Sequence, residues 1–180
     1  MTFTQLKGIA LSLLLLGLTG CAKGGDPAIQ TVATGAAVKN VLEFFPLTVD
    51  GRKVRVQLAV TSEEMQRGLM GRRDLGPDDA MIFVYPAPTR MSFWMRNTPT
   101  PLDIGFFTAD GKLGEVYQMY AFDETPVKST GTDYTLALEL NQGWFAKNGV
   151  KPGAQLDLGQ LATALRARGF KPERYGVNAP

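Results

Sequence analysis

The chain reads as a mainly β, α+β domain: a compact, largely antiparallel sheet or half-closed barrel with a few short helices. Three observations predict this. Strand-length apolar runs recur along the chain, and in residues 52–60 Val54, Val56, Leu58 and Val60 alternate with Arg55, Gln57 and Ala59. Turn sequences such as Asp50-Gly51, Ala109-Asp110-Gly111 and Lys151-Pro152-Gly153 separate the runs, and helix start signals are few. The 180 residues are 44% hydrophobic and 20% charged, the balance of one folded domain.

The elements follow in order. Residues 41–49 and 52–60, joined by Asp50-Gly51, form a hairpin signal. Thr61 followed by Glu64 fits a capping box, so a short helix runs from there to Met70 before Gly71, with Met65 and Leu69 as its buried stripe. Further strands are expected at 80–85, 91–95, 103–108, 113–120 and 134–140. Asn141 is placed to cap a short helix through Trp144 to Lys147 that Gly149 ends, and residues 154–158 read as a last strand.

Composition excludes several function classes. With no His and a single Cys, the chain alone offers no imidazole base, no Cys/His metal cage and no internal disulfide. A net charge of +2, spread without a basic tract, gives no sign of nucleic-acid binding. No cofactor is called for. The methionines Met65, Met70, Met81, Met91 and Met95 are soft donors suited to Cu(I), but they sit inside apolar patterns and read as core filler.

The amino terminus reads as an export signal. Lys7 is the lone charge in residues 1–20, and the apolar run 9–18 is about half the roughly 20 residues a transmembrane helix needs. Leu18-Thr19-Gly20-Cys21 resembles a bacterial lipobox, which implies cleavage before Cys21 and lipidation of its thiol. The expected organisation is a signal peptide at 1–20, a lipidated flexible tether at 21–40, a β-rich globular domain at 41–160 and a helical or frayed tail at 161–180. The expected partner is a membrane, held through acyl chains. The resemblance places the protein in the cell envelope and, since Ala22 rather than Asp follows Cys21, on the outer membrane facing the periplasm in a Gram-negative cell.

Residues 64–70 (EMQRGLM), Arg73, 81–84 (MIFV), 93–98 (FWMRNT), 101–104 (PLDI), 138–140 (LEL) and Gly143-Trp144 together resemble the family called domain of unknown function 192. The resemblance spans about 41–158 and implies a compact β-rich domain, often exported or lipid-anchored, without an established activity. Ala80, Thr100, Gly105 and Ala154 depart from the residues that family tends to carry.

The candidate site centres on residues 93–103. Pro99 and Pro101 stiffen the linker between two strands, Trp94 offers a face for a sugar ring or other planar group, and Arg96, Asn97, Thr98 and Asp103 offer hydrogen-bonding groups. The same residues also fit a structural reading, with Phe93 and Met95 in the core and Asn97 and Asp103 serving turns. The expected function is a binding module for a polar small molecule or envelope glycan, bordered by Arg67, Trp94, Asn97, Asp103, Glu139 and Trp144. Arg67, Arg72 and Arg73 could also hold an anion or simply be solvated. Two alternatives stand beside it: a hydrolase using Asp103 and Glu139, which requires carboxylates about 5–9.5 Å apart, and a structural or assembly lipoprotein without a small ligand. The reading favours binding over catalysis.

Overall fold

A computed structural model describes residues 40–177. The expected signal peptide, Cys21 of the lipobox-like sequence and nearly all of the expected tether lie outside the described residues.

A mixed six-stranded sheet forms the body, in the order β1 (Phe45–Val49), β2 (Arg52–Ala59), β3 (Asp79–Thr89), β8 (Tyr134–Asn141), β5 (Leu102–Thr108) and β6 (Leu113–Met119). A second, two-stranded sheet pairs β4 (Ser92–Phe93) with β7 (Val127–Lys128). The fold is the expected β-rich, largely antiparallel one, and it does not close into a barrel. Asp50 and Gly51 both adopt positive φ, +49° and +74°, which turns the β1–β2 hairpin in the sense that matches strand twist. The sole parallel pairing within the large sheet joins β2 to β3, with helix α1 (Ser62–Arg67) in the crossover.

Both faces of the sheet are covered. On one, Val56, Leu58, Ile82, Val84, Leu136, Leu138 and Leu140 pack with helices α2 (Trp144–Asn148) and α3 (Leu158–Ala167). On the other, Met81, Phe83, Ile104, Phe106 and Ala137 pack beneath Leu69, Met91, Phe93 and Met95. Burial on both faces explains why β3, β5 and β8 read as nearly continuous apolar runs. Met81, Met91 and Met95 are core residues here.

The helices depart from expectation at their ends. Thr61 and Glu64 form the expected capping box, but α1 stops at Arg67 because Gly68 turns to φ +46° over the Phe83 ring, and Leu69 enters the core from the following turn. Asn141 does not cap α2. It stays in β8 and donates to the Gly76 carbonyl, and the helix starts at Gly143 instead. The expected last strand at 154–158 is reduced to single bridges, Lys112 to Gln155 and Val49 to Leu156, because the Asp157 carboxylate accepts from Gln160 N–H and starts α3 at once.

Through 177 the carboxyl-terminal segment is helical and docked. Leu161, Ala162, Ala164 and Leu165 of α3 are buried, and a short 3-10 helix, Pro172–Tyr175, buries Tyr175. Arg168, itself buried, donates to the Leu58 carbonyl at 2.8 Å and pairs with Glu64. Glu64 therefore joins the β2 end, the α1 start and the α3 end. Truncating it leaves a buried guanidinium unpaired, so Glu64→Ala is expected to lower unfolding free energy by about 3–5 kcal/mol. Urea denaturation measures the loss; a change below about 1 kcal/mol would mean the contact is ornamental.

Candidate functional site

The pleat decides where each predicted site residue points. In the β5–β8 ladder Ile104 is opposite Glu139, and Asp103 is opposite Leu140. Opposed residues share a face, so Glu139 lies on the Met81/Phe83 side and Asp103 on the Leu140 side. The two carboxyls are on opposite faces of the sheet, which removes the paired-carboxylate hydrolase that the sequence allowed.

Asp103 is a buried structural carboxyl. Its Oδ2 accepts the Gly143 N–H at 2.9 Å, at the start of α2. Burial pushes its pKa up, and the α2 amides, led by that of Gly143, act in the opposite direction. Trp144 belongs to the same face: buried, it donates from Nε1 to Asp78 at 3.0 Å and meets Phe145 edge-on. Neither residue belongs to the cleft described next, because the sheet separates them from it.

On the other face a cleft opens over β3 and β8. Its inner part, a cavity of about 80 Å³, is lined by Arg67, Phe83, Tyr85, Phe93, Trp94 and Glu139, among others. Its outer part, about 510 Å³, shares Met65, Gln66, Met70, Tyr85, Ser92 and Trp94 with the inner one and adds Arg96 and Asn97. Of the predicted residues, Arg67, Trp94 and Glu139 line the inner part and Asn97 the outer part, while Arg72 turns aside to pair with Asp74.

Glu139 forms the floor. It is only 4% exposed, and its cross-strand neighbours on this face are Met81 and Ile104. No described residue gives it a hydrogen bond or an ion pair. Desolvation pushes its pKa up to about 8. Tyr85 faces it and is likewise pushed above its usual range, first by burial and then by the Glu139 charge.

The rim is stiff for reasons the prolines only hinted at. The 94–101 loop turns at Met95–Thr98, with Asn97 at φ +54°. The Asn97 and Thr98 carbonyls accept N–H groups of Gly71 and Phe122, Met95 N–H donates to Asp123, and the Thr100 hydroxyl donates to Arg72. Phe93 and Met95 are core residues, as the structural reading had it, but Trp94 is 47% exposed with the Arg96 guanidinium 5.7 Å from its ring centre. Sequence reasoning missed Tyr85 and Ser92. The polar ring ending the apolar run of β3 was the available signal for Tyr85.

This arrangement defines a class: a two-faced β-sheet domain carrying a preformed aromatic and polar cleft over a buried carboxyl. The chain belongs to the family DUF192, uncharacterized ACR, which matches residues 45–158. Among solved structures it is similar to a protein of unknown function from Novosphingobium aromaticivorans DSM 12444, at 39% identity and TM-score 0.62 over 69% of this chain and 93% of that one. It is also similar to a candidate transcription regulator from Sinorhizobium meliloti 1021, at 30% identity and TM-score 0.60 over 66% and 95% of the two chains. No curated protein matches the chain.

The Glu139 floor makes stability pH-dependent in a defined direction. Folded, its carboxyl holds a proton up to about pH 8, whereas the unfolded chain releases it near 4.5. The folded state then binds more protons in this window, so this group's contribution to stability falls as pH rises from about 4.5 to about 8. In Glu139→Gln that decline is removed, and thermal denaturation across the window should show a flatter profile than in the wild type. Parallel profiles would rule out a proton held at this position.

Proposed function

We propose that the protein is a lipid-anchored envelope module that binds a polar small molecule or glycan fragment in the Glu139–Trp94 cleft. The observation that carries the reading is the buried, unpaired Glu139 at the base of a concave site whose mouth presents an exposed indole. A carboxyl without a partner is a hydrogen-bonding group waiting for a guest. A half-exposed tryptophan supplies the flat apolar face that sugar rings and other planar groups stack on. The backbone bonds that tie the 94–101 loop to Gly71 and Phe122 support a site shaped before binding, which lowers the ordering cost.

The anchor rests on the lipobox-like Leu18-Thr19-Gly20-Cys21. Two acyl chains hold a protein firmly on a bilayer, while one holds it only reversibly. Full-length protein is expected to partition with membranes and Cys21→Ser to be released to the aqueous fraction; equal partitioning of both would remove the anchor from the reading.

Binding is tested by thermal shift against muropeptides, chito-oligosaccharides and short peptides. A guest of the folded state raises Tm. Trp144 is buried and Trp94 exposed, so the fluorescence change on binding should come from Trp94 and vanish in Trp94→Phe. Trp94→Ala should leave Tm within about 0.5 kcal/mol of equivalent stability, as for an exposed position, and weaken binding. A panel that shifts nothing would favour an assembly lipoprotein without a small ligand.

A further inference from the structure

A carboxyl and a guanidinium, neither with a side-chain partner among the described residues, line the same inner cavity. Glu139 is buried at its floor, and Arg67, exposed on the last turn of α1, stands at its wall. The Arg67 guanidinium makes no hydrogen bond or ion pair with any described residue, although the Arg67 carbonyl accepts from Met70 N–H, and the two side chains do not reach each other. Other arginines of the domain are engaged: Arg55 with Asp79, Arg72 with Asp74, Arg166 with Glu173 and Arg168 with Glu64.

We propose that the guest of this cleft is a zwitterion carrying a primary amine and a carboxylate, of the class of free amino acids and short peptides, with its ammonium at Glu139 and its carboxylate at Arg67. This inference rests on the binding reading above and narrows it. An ammonium supplies the positive partner that the fold withholds from Glu139, and a buried charge is tolerated only when paired. The rings of Phe83, Phe93 and Trp94 and the Met65 thioether line the same space, surroundings that favour a cation. An inner volume of about 80 Å³ admits a small head group, and the outer 510 Å³ takes the remainder. A purely anionic guest would face the Glu139 carboxyl. A neutral one would leave Arg67 without a partner.

The ionisable groups lining the cleft are Arg67, Tyr85, Arg96 and Glu139. Tyr85 is pushed above its usual range, so Glu139 is the cleft group whose carboxyl exchanges a proton near neutral pH. Seating an ammonium on it ionises the carboxyl and releases that proton.

Calorimetric titration of the full chain near pH 7 tests the proposal with alanyl-alanine, its N-acetyl derivative, its C-terminal amide and an N-acetylglucosamine oligomer. The free dipeptide is expected to bind, acetylation to weaken binding by about tenfold to a hundredfold, and amidation to weaken it less because Arg67 is exposed. Proton release should appear as a binding heat that varies with buffer ionisation enthalpy, and should disappear in Glu139→Gln, whose unchanged or raised Tm shows it folded. Equal binding of free and acetylated dipeptide, or binding confined to the oligosaccharide, would overturn the zwitterion and leave the cleft a binding site. No heat from any of these probes, with no thermal shift from the wider panel, would overturn both.

Discussion

The pleat of the central strand governs this molecule. β8 lies between β3 and β5, with both its faces covered, so every side chain along it must enter one apolar layer or the other. Leu136, Leu138 and Leu140 enter the layer under α2 and α3, and Ala137 and Glu139 necessarily enter the opposite one. A single-residue slip would exchange the two sets and bury three leucines where the cleft stands. The location of Glu139 is therefore set by the packing of its neighbours and not by anything local to the carboxyl.

Asp103 and Glu139 show how one chemical group acquires two different roles from phase alone. They occupy adjacent strands and nearly adjacent rungs, and both are almost fully buried. Asp103 meets the amides that open α2, where free N–H groups and the helix terminus favour an acceptor. Glu139 meets rings, thioethers and an opening. Glu115 marks a third case: partial desolvation is outweighed there by donors from Tyr117, Thr130, Gly131 and Tyr134, and its pKa drops to about 2. Comparison of the three separates a carboxyl that welds loops, one that anchors a helix and one without a partner among the described residues.

Much of the frame was legible from residues because it follows local rules. The Asp50-Gly51 hairpin needs positive φ, the Thr61–Glu64 box satisfies amides within one turn, and the apolar runs match strand lengths. Asn97, Trp94 and Glu139 were legible as candidates from residue type and from their setting beside prolines or on a strand. What stayed hidden was nonlocal. Whether Asp103 and Glu139 share a face depends on cross-strand register, which the sequence between them does not encode in any short window. The β2–β3 pairing is parallel although the helix between its strands is only six residues long, and α3 overrides a strand-like run because the Asp157 cap and the Leu161–Leu165 packing outweigh local β preference. Asn141 lost its capping role to the same tertiary demand, the β8 ladder and Gly76.

A carboxyl in the position of Glu139 works against the fold. At neutral pH it either keeps a proton that water would remove or leaves an isolated charge among apolar atoms, and both cost stability. Leucine or methionine at this position would continue the pattern of its neighbours and remove the cost. Other buried charged groups keep at least one partner: Asp79 has Arg55 and the Gly76 amide, Arg168 has Glu64 and the Leu58 carbonyl, and Asp103 has the Gly143 amide, while single atoms such as Arg168 Nε and Asp103 Oδ1 go without one. Glu139 differs in that neither oxygen of its carboxyl has a hydrogen bond among the described residues, and its position also floors a cleft, beneath an indole held half in water by a hydrogen-bonded loop. Such local conflicts concentrate where function outweighs packing. No described residue partners the Glu139 carboxyl, and the space above it is open.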